Sequence, residues 1–452
     1  MDELFIMKEE KVPSAIVKLT IPAILSSLVT VIYNIIDTHF VSLLHDPAMI
    51  AATTVGLPLT MILQSFGDGI AVGSGSCISR LLGAGKKEKA KKAQETSVFL
   101  ALTVSLFCSL LFIIFLRQIL PLFNIEDDVI GYAYDYMFII LLGGVALIGK
   151  QVLTYLLRSQ GIVRFPMIAI FTGIILNTVL DPLLMFDYGL GLGIRGAALA
   201  TILSQYTSMG MMIWRMLKKG NPLPWKISDL SFDKEAAADI FSVGSAAFVR
   251  NALPSFSITF LIRAAGNYST ALVAAMGVAK KSLRILTGIF GGYSQGLQPF
   301  TAYNYGAGNK KRIKEALHLS HIIILTVGIL SSFLFYFKGD RIVRLLADDP
   351  DIVYYSFMML KGYAFSLPVL GIYHVYATTL QAFKESRRSF LLSISRQGLF
   401  YIPIVLFLPP LLHELGIYLA QPVSDWMTFF LLLYLCRDFP ERLKESEDSY
   451  AE

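Results

Sequence analysis

The residues best suited to chemistry in this chain are acids set in apolar surroundings. Asp37, Asp68, Asp181 and Asp425 each fall inside a run long enough to cross a bilayer. A carboxylate in such a run is costly. It usually faces a protein interior or a wet cavity, and it often marks an ion or substrate path. Asn177 and Asp181 are four residues apart and share one helix face. Pro182 follows directly. It cannot donate a backbone N–H and disfavours helical geometry at Asp181, so the helix is expected to bend there, with Pro182 as the hinge. Asn34 and Tyr33 precede Asp37 by three and four residues, which brings polar groups beside its carboxylate. Each acid also has a bland role. Asp181 could cap a kinked helix, and Asp37 could hydrogen-bond near the outer surface. Asp68 could serve helix packing between Gly67 and Gly69. Asp425, four residues after Gln421, is a candidate for ligand contact as much as for structure.

Basic residues cluster in or near the seventh and eighth runs: Arg250, Arg263, Lys280, Lys281 and Arg284. Those near helix ends can snorkel to the interface. Arg284 lies mid-run and is expected to face a cavity between halves or to pair with an acid. Asp68 is a candidate partner for Arg284 or Arg250. Aromatic residues, with Met61, Met276 and Gln295, could line a permissive cavity for apolar cations, although in membrane helices they more often pack or face lipid. Enzymatic signatures are missing. There is no His-Glu-x-x-His, His318 and His321 have no acid or cysteine near them, and Gly83 to Lys87 lacks phosphate-loop spacing. Cys77, Cys108 and Cys436 form no disulfide or zinc framework. No catalytic residue, cofactor or resident metal is expected.

The elements that position these residues are membrane helices. The 452-residue chain is 55% hydrophobic and only 16% charged, with a mean hydropathy of +0.60, where a soluble domain carries about 25% charge. The net charge of +6 sits in short loops, without a basic arm, so nucleic acid is not expected as a partner. Met1 to Lys11 lacks the pattern of a cleaved signal peptide. About twelve apolar runs are read, at 15–43, 50–80, 93–117, 129–158, 164–186, 194–217, 237–264, 270–301, 314–337, 354–383, 388–409 and 415–437. Lys86 to Lys92, Arg158 and Arg164, Arg215 to Lys234, Lys310 to Lys314, and Lys384 to Arg388 enrich alternate loops in positive charge. The opposite loops hold His45-Asp46, Glu126 to Asp128 and Glu414. Both termini are therefore expected to be cytoplasmic.

The chain also repeats. Gly83-Ala84-Gly85 returns as Gly306-Ala307-Gly308, Ala51-Ala52 as Ala274-Ala275, and Gly196 with Leu199-Ala200 as Gly416 with Leu419-Ala420. Two parallel six-helix halves are expected, at residues 1–217 and 237–452, joined by a cytoplasmic linker at 218–236 containing Pro222 and Pro224. Asp37 aligns with Phe260 and Asp181 with Ile402, so the first half carries acids that its copy lacks.

Ile21-Pro22 with Tyr33-Asn34-Ile35-Ile36-Asp37-Thr38, Gly69 through Gly83, Asn177 to Pro182, Gly196 to Thr201, and Gln295 through Gly308 occur in an order and spacing that span nearly the whole chain. In these the sequence resembles the multidrug and toxic compound extrusion family, within the wider group of multidrug, oligosaccharidyl-lipid and polysaccharide exporters. The resemblance implies an all-α, V-shaped, twelve-helix antiporter in two lobes, monomeric in the bacterial cell membrane. It would export small organic, often cationic, compounds in exchange for Na⁺ or H⁺. It also implies a cation site formed by Asp37, Asn177, Asp181 and Thr201. Their hard oxygens suit Na⁺, and two nearby carboxylates could instead share a proton. Ion binding would alter the bend near Pro182 and drive alternating access. One family branch holds its acids on the seventh and tenth helices, which are read here as lacking them. The alternatives are a lipid-linked saccharide flippase of the same superfamily, kept open by Arg250 and Arg284, and a membrane-embedded enzyme using Asp37 and Asp181.

Overall fold

The computed structural model describes residues 4–123, 127–218 and 220–442. Glu126 and Lys219, which entered the loop-charge reading, lie outside the described residues. The described chain is helical and contains no strand. The twelve expected runs become twelve helices or broken helices. In the first half they are α1 (Val12–Ser42), α2 (Pro47–Gly83), α3 (Lys87–Ile119), α4 (Asp127–Leu142 and Gly144–Ser159), α5 (Arg164–Met185) and α6 (Ile194–Leu217). In the second half they are α7 (Lys234–Gly266), α8 (Thr270–Gly306), α9 (Lys310–Arg344), α10 (Pro350–Ala364 and Leu367–Ala382), α11 (Ser386–Ile394 and Tyr401–Leu412) and α12 (Glu414–Leu435). By length and apolarity alone, α1, α2, α3, α5, α7, α9 and α11 each suffice to cross a bilayer, and the bent α4 makes an eighth.

Local chemistry sets the ends. Asp46 accepts hydrogen bonds from the Ala48 and Met49 N–H groups just before α2, and Asp349 does the same for Asp351 and Ile352 before α10. Pro47 and Pro350 open those helices, where a missing donor costs nothing. Three breaks went unpredicted. α4 bends by 45° at Gly143, where a Cβ would lie 2.3 Å from Ile202 Cγ2. α10 is interrupted at Phe365-Ser366, just ahead of Pro368. α11 contains a π-helical turn, Ser395–Leu399. α5 is continuous to Met185, and Pro182 occupies its last turn rather than its middle.

The halves meet through α1 against α8 and α2 against α7. Gly69 and Gly73 of α2 give way to α7, and Gly292 and Gly296 of α8 give way to α1. At Gly73 a Cβ would stand 2.1 Å from the Ile240 carbonyl, and at Gly296 2.5 Å from Thr20 Cα. These are small-xxx-small pairs that let backbones approach. The repeated Gly-Ala-Gly turns face one another. A Cβ at Gly83 would lie 1.9 Å from the Tyr303 carbonyl, and one at Gly306 would lie 2.0 Å from the Arg80 carbonyl. Gly85 and Gly308 take φ of +72° and +71°. Each closes its helix with the same paired backbone bonds, Lys86 to Leu81 and Gly85 to Leu82, Asn309 to Asn304 and Gly308 to Tyr305. The repeated turns read in the sequence thus pack against each other as one close seam.

Candidate functional site

Three polar sites lie inside the helices. The first is within α1 to α6. α5 carries Asn177 and Asp181 on one face, and both are buried, Asp181 at 0% exposure. Asn177 Nδ2 donates to Asp181 Oδ1 at 3.2 Å. Asn177 Oδ1 and Asp181 Oδ2 are buried with no hydrogen-bond partner. Tyr33 of α1 and Thr201 of α6 share a hydrogen bond of 3.3 Å between their hydroxyls. Asp37, one turn beyond Tyr33, is in electrostatic reach of Asp181. Tyr136 of α4, which sequence reading missed, is in reach of both acids. Four helices therefore direct two carboxylates, an amide oxygen and hydroxyls toward one another. Two unpartnered buried oxygens are costly unless something supplies positive charge or a proton, and this set of hard donors suits Na⁺ or H⁺.

The second site is a central cavity of about 430 Å³ lined by residues of both halves. Asn34 faces it and donates to its own helix at the Thr30 carbonyl, 2.8 Å, rather than to Asp37. Asp68 lies on its wall and accepts from Asn251 Nδ2 at 2.8 Å. Arg250 and Lys150 are in electrostatic reach of Asp68. Arg284 lines the cavity and makes no ion pair among the described residues. Gln295 accepts from Arg158 Nη1 at 2.9 Å across the two halves. Two corrections follow. Arg158, counted above as a loop charge, is 2% exposed and belongs to the cavity. Met61 and Met276 do not line it.

The third site is in the second half. Asp425 does not reach the central cavity. Its Oδ1 accepts from Arg396 Nε and from Gln421 Nε2, each at 2.8 Å. Arg396 sits on the π turn of α11, with its guanidinium 5.5 Å from the Tyr373 ring centre. An arginine in the middle of the eleventh run was a readable signal that went unused. Removing one member of a buried pair leaves an uncompensated charge, typically costing about 3–5 kcal/mol. Asp425→Asn is therefore expected to lower the melting temperature of the purified protein markedly, and Asp425→Leu with Arg396→Met to recover most of the loss. Equal melting of Asp425→Asn and wild type would sink this assignment.

Charged side chains tie the helices together near the Gly83–Gly306 seam. Arg80, 8% exposed, donates through Nη2 to both Asp239 oxygens at 3.0 and 2.8 Å and through Nη1 to the Gln381 carbonyl at 3.3 Å. Lys384 reaches Asp239 at 3.3 Å. Asp239 corrects the reading of the seventh run as free of acids. It lies in the first turns of α7 and locks the seam rather than forming a cation site.

Comparisons with known proteins agree with this architecture. The model of the MatE family matches residues 22–183 and 246–407, one match in each half. The multidrug export protein MepA of Staphylococcus haemolyticus is 28% identical over 454 residues, covering 100% of this chain and 99% of that protein. MepA of Staphylococcus aureus strain MSSA476 is 27% identical over 440 residues, 97% of each. An outward-facing structure of a multidrug resistance MATE family transporter of the MOP superfamily superposes with a TM-score of 0.91 at 22% identity, covering 99% of both chains.

Proposed function

This chain belongs to the MatE family, the multidrug and toxic compound extrusion transporters, and from that premise we propose that it is a multidrug efflux antiporter working by alternating access. It is a multi-pass membrane transporter, and the enzyme alternative is set aside. Its substrates are small organic molecules taken up in the central cavity. Na⁺ or H⁺ enters in exchange through the site of Asp37, Asn177, Asp181 and Thr201. The observation that carries the coupling site is the pair of buried oxygens, Asn177 Oδ1 and Asp181 Oδ2, without a partner. An ion that binds there more tightly in one state shifts the equilibrium between states by that difference. Pro182, in the last turn of α5, leaves the Thr178 carbonyl without its helical donor. That turn can move without breaking the helix above it. The two lobes are residues 1–217 and 237–452 with a linker at 218–236. Both termini are cytoplasmic, so the Arg80–Asp239 seam is the cytoplasmic gate of an outward-facing state in the bacterial cell membrane.

The test is transport in proteoliposomes under separately imposed Na⁺ and pH gradients. Probe movement driven by one gradient and abolished by its collapse is the expected result, and it names the ion. Movement indifferent to both gradients overturns antiport. A second reading, a lipid-linked saccharide flippase, draws on the basic residues Lys150, Arg158, Arg250 and Arg284 around the cavity. It predicts movement of a labelled lipid between leaflets without either gradient.

A further inference from the structure

From the charge of the central cavity we infer that the principal substrates are anionic: molecules with a phosphate, sulfonate or carboxylate group seated among basic side chains of α4, α7 and α8. This rests on the transporter reading and names the substrate class of its cavity. Lys150, Arg158, Arg250 and Arg284 line the cavity, against a single carboxylate, Asp68. That carboxylate is engaged by Asn251 and lies in reach of two of the bases. Among the described residues, the side chains of Lys150, Arg250 and Arg284 make no hydrogen bond or ion pair with protein. Their donors are free for a ligand. Arg158 keeps a buried Nε without a partner. Three arginines suit oxyanions because their planar donors form paired hydrogen bonds.

The lining also lacks what an organic cation needs. Tyr155 and His374 are its only aromatic side chains among the described residues, and no acid other than Asp68 faces it. A lipophilic cation would meet a surplus of three positive charges inside a low-dielectric wall, where like-charge repulsion is strong. The volume, about 430 Å³, fits one drug-sized molecule. The Gln295 amide nitrogen on the same wall, its oxygen being held by Arg158, offers a neutral donor to a further acceptor atom on such a molecule.

The experiment compares carboxyfluorescein, a soluble anion, with ethidium, a cation of similar size, and with a fluorescent phosphatidylglycerol, in proteoliposomes carrying whichever gradient drives transport. Carboxyfluorescein transport exceeding ethidium transport by tenfold or more is expected. Arg284→Gln is expected to lower it at least tenfold, Arg284→Lys to retain part of it, and Arg284→Glu to shift preference toward ethidium. Movement of the lipid alone, with the same dependence on Arg284, supports the inference and assigns the anionic group to a headgroup. Ethidium transport that depends on Asp181, with neither anion moved, overturns the inference while leaving antiport standing. Loss of transport of every probe in Asp181 variants, with anions moved by wild type, supports both. Anion transport unchanged in Arg284→Gln with Arg250→Gln also overturns the inference.

Discussion

Asp181→Asn is expected to reduce gradient-driven transport at least a hundredfold while leaving the protein folded. Asp181 is fully buried, with one oxygen held by Asn177 and the other unpaired. The amide has nearly the same shape, so packing along α5 survives, but the charge that attracts a cation or holds a proton is gone. A hundredfold loss corresponds to about 2.7 kcal/mol of differential binding, a modest demand on a charge in a buried site. Asp181→Glu keeps the charge but forces an extra methylene into a filled space, and it should fall between wild type and the amide. Asp37→Asn should act in the same direction, because Asp37 and Asp181 share one electrostatic neighbourhood. The measurement is probe efflux per unit of reconstituted protein, with thermal unfolding as the control for fold. Retention of more than a tenth of wild-type coupled transport in Asp181→Asn places coupling elsewhere in the chain.

Gly83→Val is expected to hold the molecule open at its Gly83–Gly306 end. The new Cβ would collide with the Tyr303 carbonyl at 1.9 Å, a backbone atom that no rotamer change can move. α2 and α8 must separate, and the Arg80–Asp239 contacts beside them must loosen. Gly306→Val should do the same, since its Cβ meets the Arg80 carbonyl from the opposite side. Cys77 offers the readout. It is 2% exposed and neighbours Asp239 at the seam. With Cys108 and Cys436 replaced by serine, maleimide labelling of Cys77 should speed up tenfold or more in either variant, while substrate release to the outside is lost. Labelling at the wild-type rate would mean that the helices accommodate the methyl groups and that the seam is not the gate.

The spans were legible because bilayer length and apolarity act on every residue of a run. The expected 164–186 became Arg164–Met185, and 194–217 became Ile194–Leu217. The breaks were less legible because they depend on neighbours. Gly143 bends α4 where Ile202 presses against it, and no periodicity in α4 reports Ile202. At the candidate ion site, i to i+4 spacing brought Asn177 to Asp181 directly. Tyr136 stayed hidden, because a tyrosine in an apolar run looks like packing. Arg158 and Asp239 were hidden by position. Both lie near helix ends, where a charge usually meets water. Here a second half covers them, and the pairing that makes them useful, Arg158 with Gln295 and Asp239 with Arg80, spans more than a hundred residues of sequence.

An anionic substrate in the basic central cavity would also change how the membrane voltage acts on a transport cycle. Exporting a monovalent cation in exchange for an entering monovalent cation moves no net charge, and the potential neither helps nor hinders it. Exporting a monovalent anion in exchange for the same cation moves two charges in one sense. At about 2.3 kcal/mol per charge per 100 mV, an inside-negative potential then supplies roughly 4.6 kcal/mol per cycle for each 100 mV. A cell can accordingly drive such a carrier by polarisation alone, even where the ion concentrations on the two sides are equal.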